Sequence, residues 1–496
     1  MEALSIYSKL AVLAAVAALG LEGCRDQRLP TDDARGRPVA ANVPSSEQSS
    51  RYIVTFVAEQ VPADFAQRVA ELGGTVDATL DSIGVATVTG LTSGAATQLA
   101  ATPGVQAVEP DRVRTSEPTG LDAADASTEP PASATLAPAD AAASPTAAQF
   151  YARQWNMRAI FADQAWAAGQ LGSDDVVVAI LDSGIDYTLP DLAGLVDLER
   201  STSFTPDEDP VVAQLYPGRL PISDLHSHGT TVASVIASKG TVLAGINQHA
   251  TLVAVKIANR FFEVSVAQWL RGLVYAADHG ADVINLSDRM IFDKHTDHGV
   301  VAAFNRAAKY VFRKGAVFVA SAGNDVADLD HNRDQVVLPC EAPHVICVAA
   351  TGPTSTAGVN GPWVDVDAFV AGYSNYGRSA VDVAAPGGAG IKGIPDPDLS
   401  GTRNRRVWAL CTTTPTEVSF PACRNHQPIT QPFGTTYSAA HVSGLAALLV
   451  AQLGHGNPAL IRARILQSAD DLGELGTDPY YGKGRINIAR ALGVVP

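Results

Sequence analysis

Four polar side chains in this chain of 496 residues have the types that nucleophilic acyl transfer requires: Asp182, His228, Asn324 and Thr436. A hydroxyl such as that of Thr436 is a poor nucleophile near neutral pH. A neutral imidazole must therefore take its proton, and a buried carboxylate must hold that imidazole in the correct tautomer. His228 and Asp182 can do both. The tetrahedral intermediate also needs donors for its oxyanion, which the Asn324 side chain and the Thr436 backbone N–H can supply.

Two of these side chains follow segments that predict buried strands. Residues 176–181 are an apolar, β-branched run typical of a parallel strand covered on both faces. We therefore expect Asp182 at the carboxyl end of that strand, where the active sites of open α/β sheets gather. Residues 315–324 are a second run of mostly small and apolar residues, and Asn324 stands at its end.

Predicted helices complete the framework. Thr436 is expected at the start of a long helix of small and aliphatic residues that runs to about Leu453. The unpaired N–H groups and the dipole at the start of a helix favour an anion. Helices predicted at 266–279 and 300–314 alternate with strands, as a doubly wound, mainly parallel α/β sheet requires.

The segments around these residues resemble the motifs of the subtilisin-like serine peptidases, the subtilases. The resemblance rests on Asp182-Ser183-Gly184, His228-Gly229-Thr230, Ala322-Gly323-Asn324 and the run from Gly434 to Gly444. The order of Asp, His and hydroxyl residue is that of subtilisin. The resemblance covers most of the chain after Gln149, and it implies a subtilisin-like fold and an endopeptidase acting on peptide or protein substrates. It also implies Asp182, His228 and Thr436 as the catalytic residues and Asn324 as the oxyanion donor.

The sequence departs from the family at the nucleophile and at the substrate cleft. Thr436 stands where the family has serine, and its extra methyl group restricts χ1 and adds bulk beside the imidazole. After Ser287 the family continues with Leu-Gly-Gly, whereas this chain has Asp288-Arg289-Met290.

We expect Ser287, Asp288, Arg289 and Gly323 to bind substrate. Arg289 is expected to project into the pocket, so that the cleft either prefers an acidic or otherwise unusual substrate or is partly closed. Two functions follow: an endopeptidase with low or specialised activity, or an inactive pseudopeptidase that binds peptides or a protein partner.

A small α+β domain is predicted at residues 51–114. Its pattern of strand, helix, two strands, helix and strand resembles the inhibitor-type propeptide of subtilases, a ferredoxin-like fold that occupies the cleft as an intramolecular inhibitor. A free-standing ferredoxin-like binding module is the alternative. Residues 115–148 are rich in Ala, Pro and Ser, which predicts a linker open to proteolysis. The peptidase domain is expected at 149–496.

The N-terminal 24 residues indicate export. Residues 10–21 form an apolar run too short to span a membrane but suited to a signal peptide. Leu21-Glu22-Gly23-Cys24 resembles the lipobox of bacterial lipoproteins, which implies a lipid anchor on Cys24; a plain secretory signal is the alternative. A polar tether follows at 25–50. We therefore expect an extracellular or cell-envelope location.

Four further cysteines fall into two local pairs, and disulfides are their expected use in an exported chain. Of the three possible connectivities we favour Cys340–Cys347 with Cys411–Cys423. The net charge of −16 argues against nucleic-acid binding. The chemistry needs no cofactor. Structural calcium is common in the family, and Asp191 matches one family ligand position.

Overall fold

The computed structural model describes residues 51–115, 144–354, 367–370, 372–390 and 405–495. The predicted signal segment with Cys24, the tether, and most of the predicted linker lie outside the described residues. The described part belongs to one compact unit.

An antiparallel sheet of four strands and two helices form the N-terminal domain. Its elements are β1 (Arg51–Phe56), α1 (Phe65–Glu71), β2 (Thr75–Leu80), β3 (Val85–Thr89), α2 (Ser93–Ala100) and β4 (Val105–Pro110). The strand order is β2-β3-β1-β4, which confirms the predicted ferredoxin-like pattern. Alternate residues of β1 face opposite sides, as in any strand. Val54 and Phe56 pack with Phe65 and Leu99 of the domain's own helices, whereas Ile53 faces the larger domain.

The large domain is built on an eight-stranded sheet. Its strands are β6 (Val177–Asp182), β7 (Thr202–Ser203), β8 (Thr251–Lys256), β10 (Val283–Leu286), β12 (Val317–Ser321), β14 (Val345–Pro353), β15 (Asp367–Phe369) and β16 (Val383–Pro386). The order is β15-β14-β12-β10-β6-β8-β7, with β16 also paired to β14. All pairs are parallel except β14 with β15, so the predicted mainly parallel sheet is confirmed.

Short strands lie outside this sheet. They are β5 (Val113–Thr115), β9 (Glu263–Ser265), β11 (Met290–Asp293), β13 (Gln335–Leu338), β17 (Ala409–Leu410) and β18 (Ile429–Thr430). They pair antiparallel as β5 with β9, β11 with β13, and β17 with β18. The first of these pairs joins the N-terminal segment to the large domain.

Helices cover both faces of the large sheet. They are α3 (Trp155–Ala159), α4 (Ala162–Ala167), α5 (Asp209–Leu215), α6 (His228–Ile236), α7 (Val266–Asp278), α8 (His298–Arg313), α9 (Pro421–Arg424), α10 (Thr435–Leu453), α11 (Pro458–Gln467) and α12 (Ile488–Ala491). One apolar core holds side chains of α6 and α10, and the other holds those of α7 and α8. Helix α8 begins two residues before the predicted Val300.

Strand β6 shows how the sequence positions its terminal acid. Every residue of β6 is buried. Val178 and Ile180 belong to one apolar core, while Val177 and Leu181 belong to the other. Because both faces are anchored by apolar burial, the strand delivers Asp182 to the carboxyl edge of the sheet.

Both favoured disulfides are present, Cys340–Cys347 and Cys411–Cys423. Helix α10 is long and apolar enough to cross a membrane, but 83% of its most apolar stretch is buried inside the fold. It is the central core helix of the large domain, and it carries Thr436 in its first turn.

Candidate active site

Asp182 and His228 form a buried pair. The Nδ1 atom of His228 lies 2.8 Å and 2.9 Å from the two carboxylate oxygens of Asp182. Asp182 Oδ1 also accepts the N–H of Ser183 at 2.7 Å. The hydrogen bond at Nδ1 fixes the tautomer in which Nε2 is free to accept a proton.

Asp224 organises the loop that delivers this histidine. Its Oδ1 accepts the N–H groups of His226 and Ser227 at 2.9 Å and 2.8 Å, and its Oδ2 accepts the N–H of Thr230 at 2.8 Å. Ser227 has φ of 89°, an uncommon value for a residue with a side chain. The bonds to Asp224 hold that conformation directly before His228. Asp224 was not predicted from the sequence, because nothing in its immediate neighbours marks it as a residue that would hold this loop.

The electrostatics around His228 involve three carboxylates. Burial lowers the pKa of His228, but Asp182, Asp224 and Asp288 outweigh that effect and raise the pKa above its usual value. His228 is therefore a stronger base than a free imidazole. The neighbouring His226 is different, because burial lowers its pKa to about 3 and keeps it neutral.

Thr436 lies in the first turn of α10 and is 4% exposed. Its Oγ1 donates to the backbone carbonyl of Ser287 at 3.4 Å. Among the described residues, no hydrogen bond joins this hydroxyl to His228. The three residue types are thus brought to one site, but the hydroxyl is turned toward the cleft edge.

Asn324 is held in place by the residue before Thr436. Its Oδ1 accepts both the N–H and the hydroxyl of Thr435, at 2.9 Å and 2.8 Å. With Oδ1 engaged in this way, the N–H groups of Nδ2 remain as donors. The N–H of Thr436 has no acceptor within its own helix, because it belongs to the first turn. Two donors of the kind an oxyanion needs therefore stand at the start of α10.

At the cleft edge, the charge of Arg289 is balanced by an acidic partner, and its side chain fills the space beside Gly323. Its guanidinium pairs with Asp325 through both Nε and Nη2. Its stem runs so close to Gly323 that a Cβ added there would lie 2.5 Å from Arg289 Cδ. Of the two predicted alternatives, an acidic substrate or a partly closed cleft, this geometry favours the second.

The N-terminal domain docks through two carboxylates at helix starts. Glu109 accepts the N–H groups of Gly299 and Val300 at 2.8 Å and 2.7 Å, in the first turn of α8. Asp111 accepts the N–H of Ala267 at 3.0 Å, in the first turn of α7. Helix starts carry unpaired N–H groups that suit carboxylates. Burial nevertheless raises the pKa of Asp111 to about 6, and it also raises the pKa of Glu109.

The segment after Asp111 enters the cleft. Strand β5 pairs antiparallel with β9, with Arg114 opposite Val264. The Arg114 guanidinium bonds to the carboxylate of Asp288 and to the carbonyl oxygen of Arg289. Because Asp288 directly follows the residue that accepts the Thr436 hydroxyl, this segment lies beside the predicted nucleophile. We call Val113–Thr115 the tail strand.

Asp191 is bonded to backbone amides. Its carboxylate accepts the N–H groups of Thr241, Val242 and Leu243 at 2.8–3.1 Å. Both oxygens are thereby used, so the residue does not fit a calcium ligand in this conformation. Within the described ranges, no group of three or more His, Cys, Asp and Glu residues could hold a metal ion. Calcium binding stays a prediction.

Comparisons with known proteins agree with this geometry. The family model of the Subtilase family matches residues 173–484. The chain is 31% identical over 356 residues to a thermophilic serine proteinase of Bacillus sp. (strain AK1), covering 71% of this chain and 70% of that one. It is 29% identical over 353 residues to thermitase of Thermoactinomyces vulgaris, covering 69% and 97%.

The fold has close counterparts among solved structures. The epidermin leader peptide processing serine protease of Staphylococcus aureus superposes with a TM-score of 0.67 at 20% identity, over 90% of this chain and 99% of that one. At that identity the likeness shows the fold alone. The family model and the curated relatives show more: the chain belongs to the subtilase family and is, by resemblance, a serine-type endopeptidase.

Proposed function

We propose that this protein is an exported endopeptidase that uses Asp182, His228 and Thr436 and is held inactive by its own N-terminal domain. The observation that carries the proposal is the buried hydrogen bond between His228 Nδ1 and Asp182. An imidazole fixed in this way can accept a proton only at Nε2, which is what attack by a hydroxyl requires.

In the proposed reaction, Thr436 Oγ1 attacks the carbonyl carbon of the scissile bond while His228 Nε2 takes the hydroxyl proton. The oxyanion is stabilised by Asn324 Nδ2 and the N–H of Thr436. The imidazolium then gives its proton to the leaving amine, and the carbon–nitrogen bond breaks. Water, activated by the same imidazole, hydrolyses the ester and restores the hydroxyl.

We expect the activity to be weak. Thr436 Oγ1 points at the carbonyl of Ser287, so it must turn about χ1 before it can reach His228. A β-branched side chain has few allowed χ1 values, and the turn brings its methyl group to a new position in a buried site. Serine would make the same turn with no methyl group.

The N-terminal domain is proposed to be the inhibitor of this site. It caps α7 and α8 with Asp111 and Glu109 and lays the tail strand against β9. Substrate would need the same position. Cleavage within the predicted linker 115–148, followed by release of the domain, is the proposed route to the mature enzyme.

The pseudopeptidase alternative has its own support. The Thr436 hydroxyl is bonded away from His228, and the Arg289 stem lies against Gly323. A site with these two features can bind a chain segment without cleaving it.

Three proteins separate the two functions: the natural chain, Thr436→Ser and Thr436→Ala. Each is followed on a gel for cleavage between residues 115 and 149, and with a fluorogenic peptide. We expect Thr436→Ser to be faster than the natural chain by at least about tenfold, or about 1.4 kcal/mol of barrier. Thr436→Ala should not cleave.

The outcomes are distinct. If the natural chain matches Thr436→Ala while Thr436→Ser cleaves, the protein is a pseudopeptidase with an otherwise competent site. If none of the three cleaves, the catalytic proposal fails, and the altered edge at Asp288 and Arg289 becomes the preferred explanation.

We further propose that the chain is exported with a lipid on Cys24. The two disulfides support an oxidising compartment. The natural chain should partition with membranes and Cys24→Ser should be released. A Cys24→Ser protein that stays on membranes would overturn the lipid anchor, and four reactive thiols in the folded protein would overturn export.

A further inference from the structure

We propose that Asp288 forms an arginine-selective subsite of the cleft, occupied in this structure by Arg114 of the tail strand. The subsite consists of the Asp288 carboxylate and the carbonyl oxygen of Arg289. This inference rests on the proposed function, because it names the side chain that a peptide substrate should carry at the position of Arg114.

The contacts of Arg114 define the chemistry of the subsite. Its Nη1 bonds both to Asp288 Oδ1 and to the carbonyl oxygen of Arg289. The side chains of Arg114 and Asp288 are only 8% and 6% exposed. Charge-assisted hydrogen bonds between guanidinium and carboxylate are among the strongest that proteins form. A neutral or acidic side chain at this position would leave a buried carboxylate without its counter-charge.

A guanidinium fits this site better than an ammonium group. Arg114 donates to Asp288 Oδ1 and leaves Oδ2 buried without a hydrogen-bond partner among the described residues, so a second acceptor stays available beside Oδ1. A guanidinium is planar and can donate to both oxygens of one carboxylate, whereas lysine acts as a point charge. We therefore expect arginine to be preferred over lysine, and both over glutamine or glutamate.

The neighbouring arginine does not cancel this preference. Arg289 directs its side chain to Asp325, with which it makes two hydrogen bonds. It contributes only its carbonyl oxygen to the subsite. Asp325 thus balances the charge of Arg289, and within the described part of the chain the ion pair of Asp288 is with Arg114 of the tail strand.

The position of the subsite makes it part of the substrate path. Asp288 follows Ser287, whose carbonyl accepts the Thr436 hydroxyl. Arg114 also lies opposite Val264 in the β5–β9 pair. A substrate that replaces the tail strand would add to the same edge by main-chain hydrogen bonds, with specificity supplied by the side-chain pockets.

A first test measures the tail strand in the intact protein. In a Thr436→Ala background, which leaves the chain uncut, hydrogen exchange is followed at residues 113–115 and 263–265. Arg114→Gln should raise the exchange rate by at least about tenfold, the loss expected for one buried charge-assisted contact. Arg112→Gln is the matched control: Arg112 is also paired, to Asp297, but it is 44% exposed and lies outside the subsite. Equal effects of the two variants would overturn the proposal.

A second test measures ligand choice. Labelled peptides matching residues 108–117, with Arg, Lys or Gln at the position of Arg114, are titrated into the full chain carrying Thr436→Ala and Arg114→Gln. We expect the Arg peptide to bind at least about tenfold tighter than the Gln peptide, and Asp288→Asn to remove the difference. Equal binding of Arg and Gln peptides, or a preference that survives Asp288→Asn, would overturn the subsite.

These two readouts do not depend on catalysis. If the natural chain and Thr436→Ser never cleave, the proposed endopeptidase fails while the subsite is still decided by binding. If they do cleave, kcat/KM should be higher for the Arg peptide than for the Gln peptide, in line with the binding preference. Equal kcat/KM values for the two peptides would contradict the subsite and leave the endopeptidase proposal intact.

Discussion

The site has two halves that differ in how they are built. The proton-transfer half consists of Asp182, His228 and the loop held by Asp224, and its contacts are hydrogen bonds of 2.7–2.9 Å. The substrate half consists of Thr436 and the edge from Ser287 to Arg289. There the hydroxyl makes one long bond of 3.4 Å, and charged side chains replace the family's small and apolar ones. Under the proposed function, the chain therefore keeps the residues that would act as the base and changes the residues that would hold the substrate.

The largest expected effect tests the first half. Asp182→Asn, made in the Thr436→Ser chain so that the starting rate is measurable, should lower kcat by about 10⁴. The physical reason is that an amide can donate to Nδ1 and so favour the wrong tautomer of His228. The measurement is kcat with a fluorogenic peptide, and the thermal unfolding midpoint serves as the control for folding. A loss below tenfold at unchanged stability would show that the pair is structural.

The second prediction tests the substrate half. Arg289→Gly should open the space beside Gly323, and Asp325→Asn made with it removes the negative charge that Arg289 balances. In the proposed mechanism Asn324 binds the oxyanion, so the substrate residue that carries the scissile carbonyl lies against the adjacent Gly323. We expect kcat/KM for peptides with a large apolar residue there to rise between about 10- and 100-fold. Peptides with glycine at this position are the control. An equal gain in kcat/KM for the glycine and the large apolar peptides would contradict the idea of a blocked pocket.

The two halves also differ in how far the sequence predicted them. Asp182 and Asn324 could be located because each comes at or just after the end of an apolar strand, and His228 because it begins helix α6; all three elements are encoded locally. The roles of Asp288 and Arg289 could not, because their partners are distant: Arg114 is 174 residues from Asp288 and Asp325 is 36 residues from Arg289. Charge at the cleft edge was visible in the sequence, but which charge is balanced, and by what, depends on the fold.

The third prediction concerns release of the N-terminal domain. When the N-terminal domain is docked, burial raises the pKa of Asp111 from 3.8 to about 6. The stabilisation of the docked state by protonated Asp111 is therefore fully present below pH 3.8 and is lost as the pH rises through about 6. Protection of the α7 amides should therefore fall by about tenfold between pH 5 and pH 7. The burial-raised pKa of Glu109 acts in the same direction.

The measurement is hydrogen exchange of Val266–Asp278 in the Thr436→Ala chain, corrected for the intrinsic effect of pH. Asp111→Asn cannot ionise and should flatten most of the dependence. Protection that increases with pH would mean that the helix start, rather than burial, controls the charge state of Asp111.

The smallest expected effect joins the two halves. Burial lowers the pKa of His228, but the carboxylates of Asp182, Asp224 and Asp288 raise it above its usual value. Since attack requires the neutral imidazole, kcat/KM should fall as pH drops through that raised pKa. Asp288→Asn removes one of the carboxylates that raise it, so the acid limb of the pH profile should move to lower pH. The profile is measured on the Thr436→Ser chain with a peptide that has glutamine at the position of Arg114.

Asp334→Asn provides the control, because Asp334 is a carboxylate 68% exposed on the surface and is not among the groups that mainly set the pKa of His228. If the acid limb of the pH profile does not move in Asp288→Asn, then Asp288 acts on the substrate and not on the pKa of His228. A shift to lower pH would show that the same carboxylate that binds the tail strand also tunes the base, so that filling the subsite with arginine lowers the pKa of His228 and favours its neutral form.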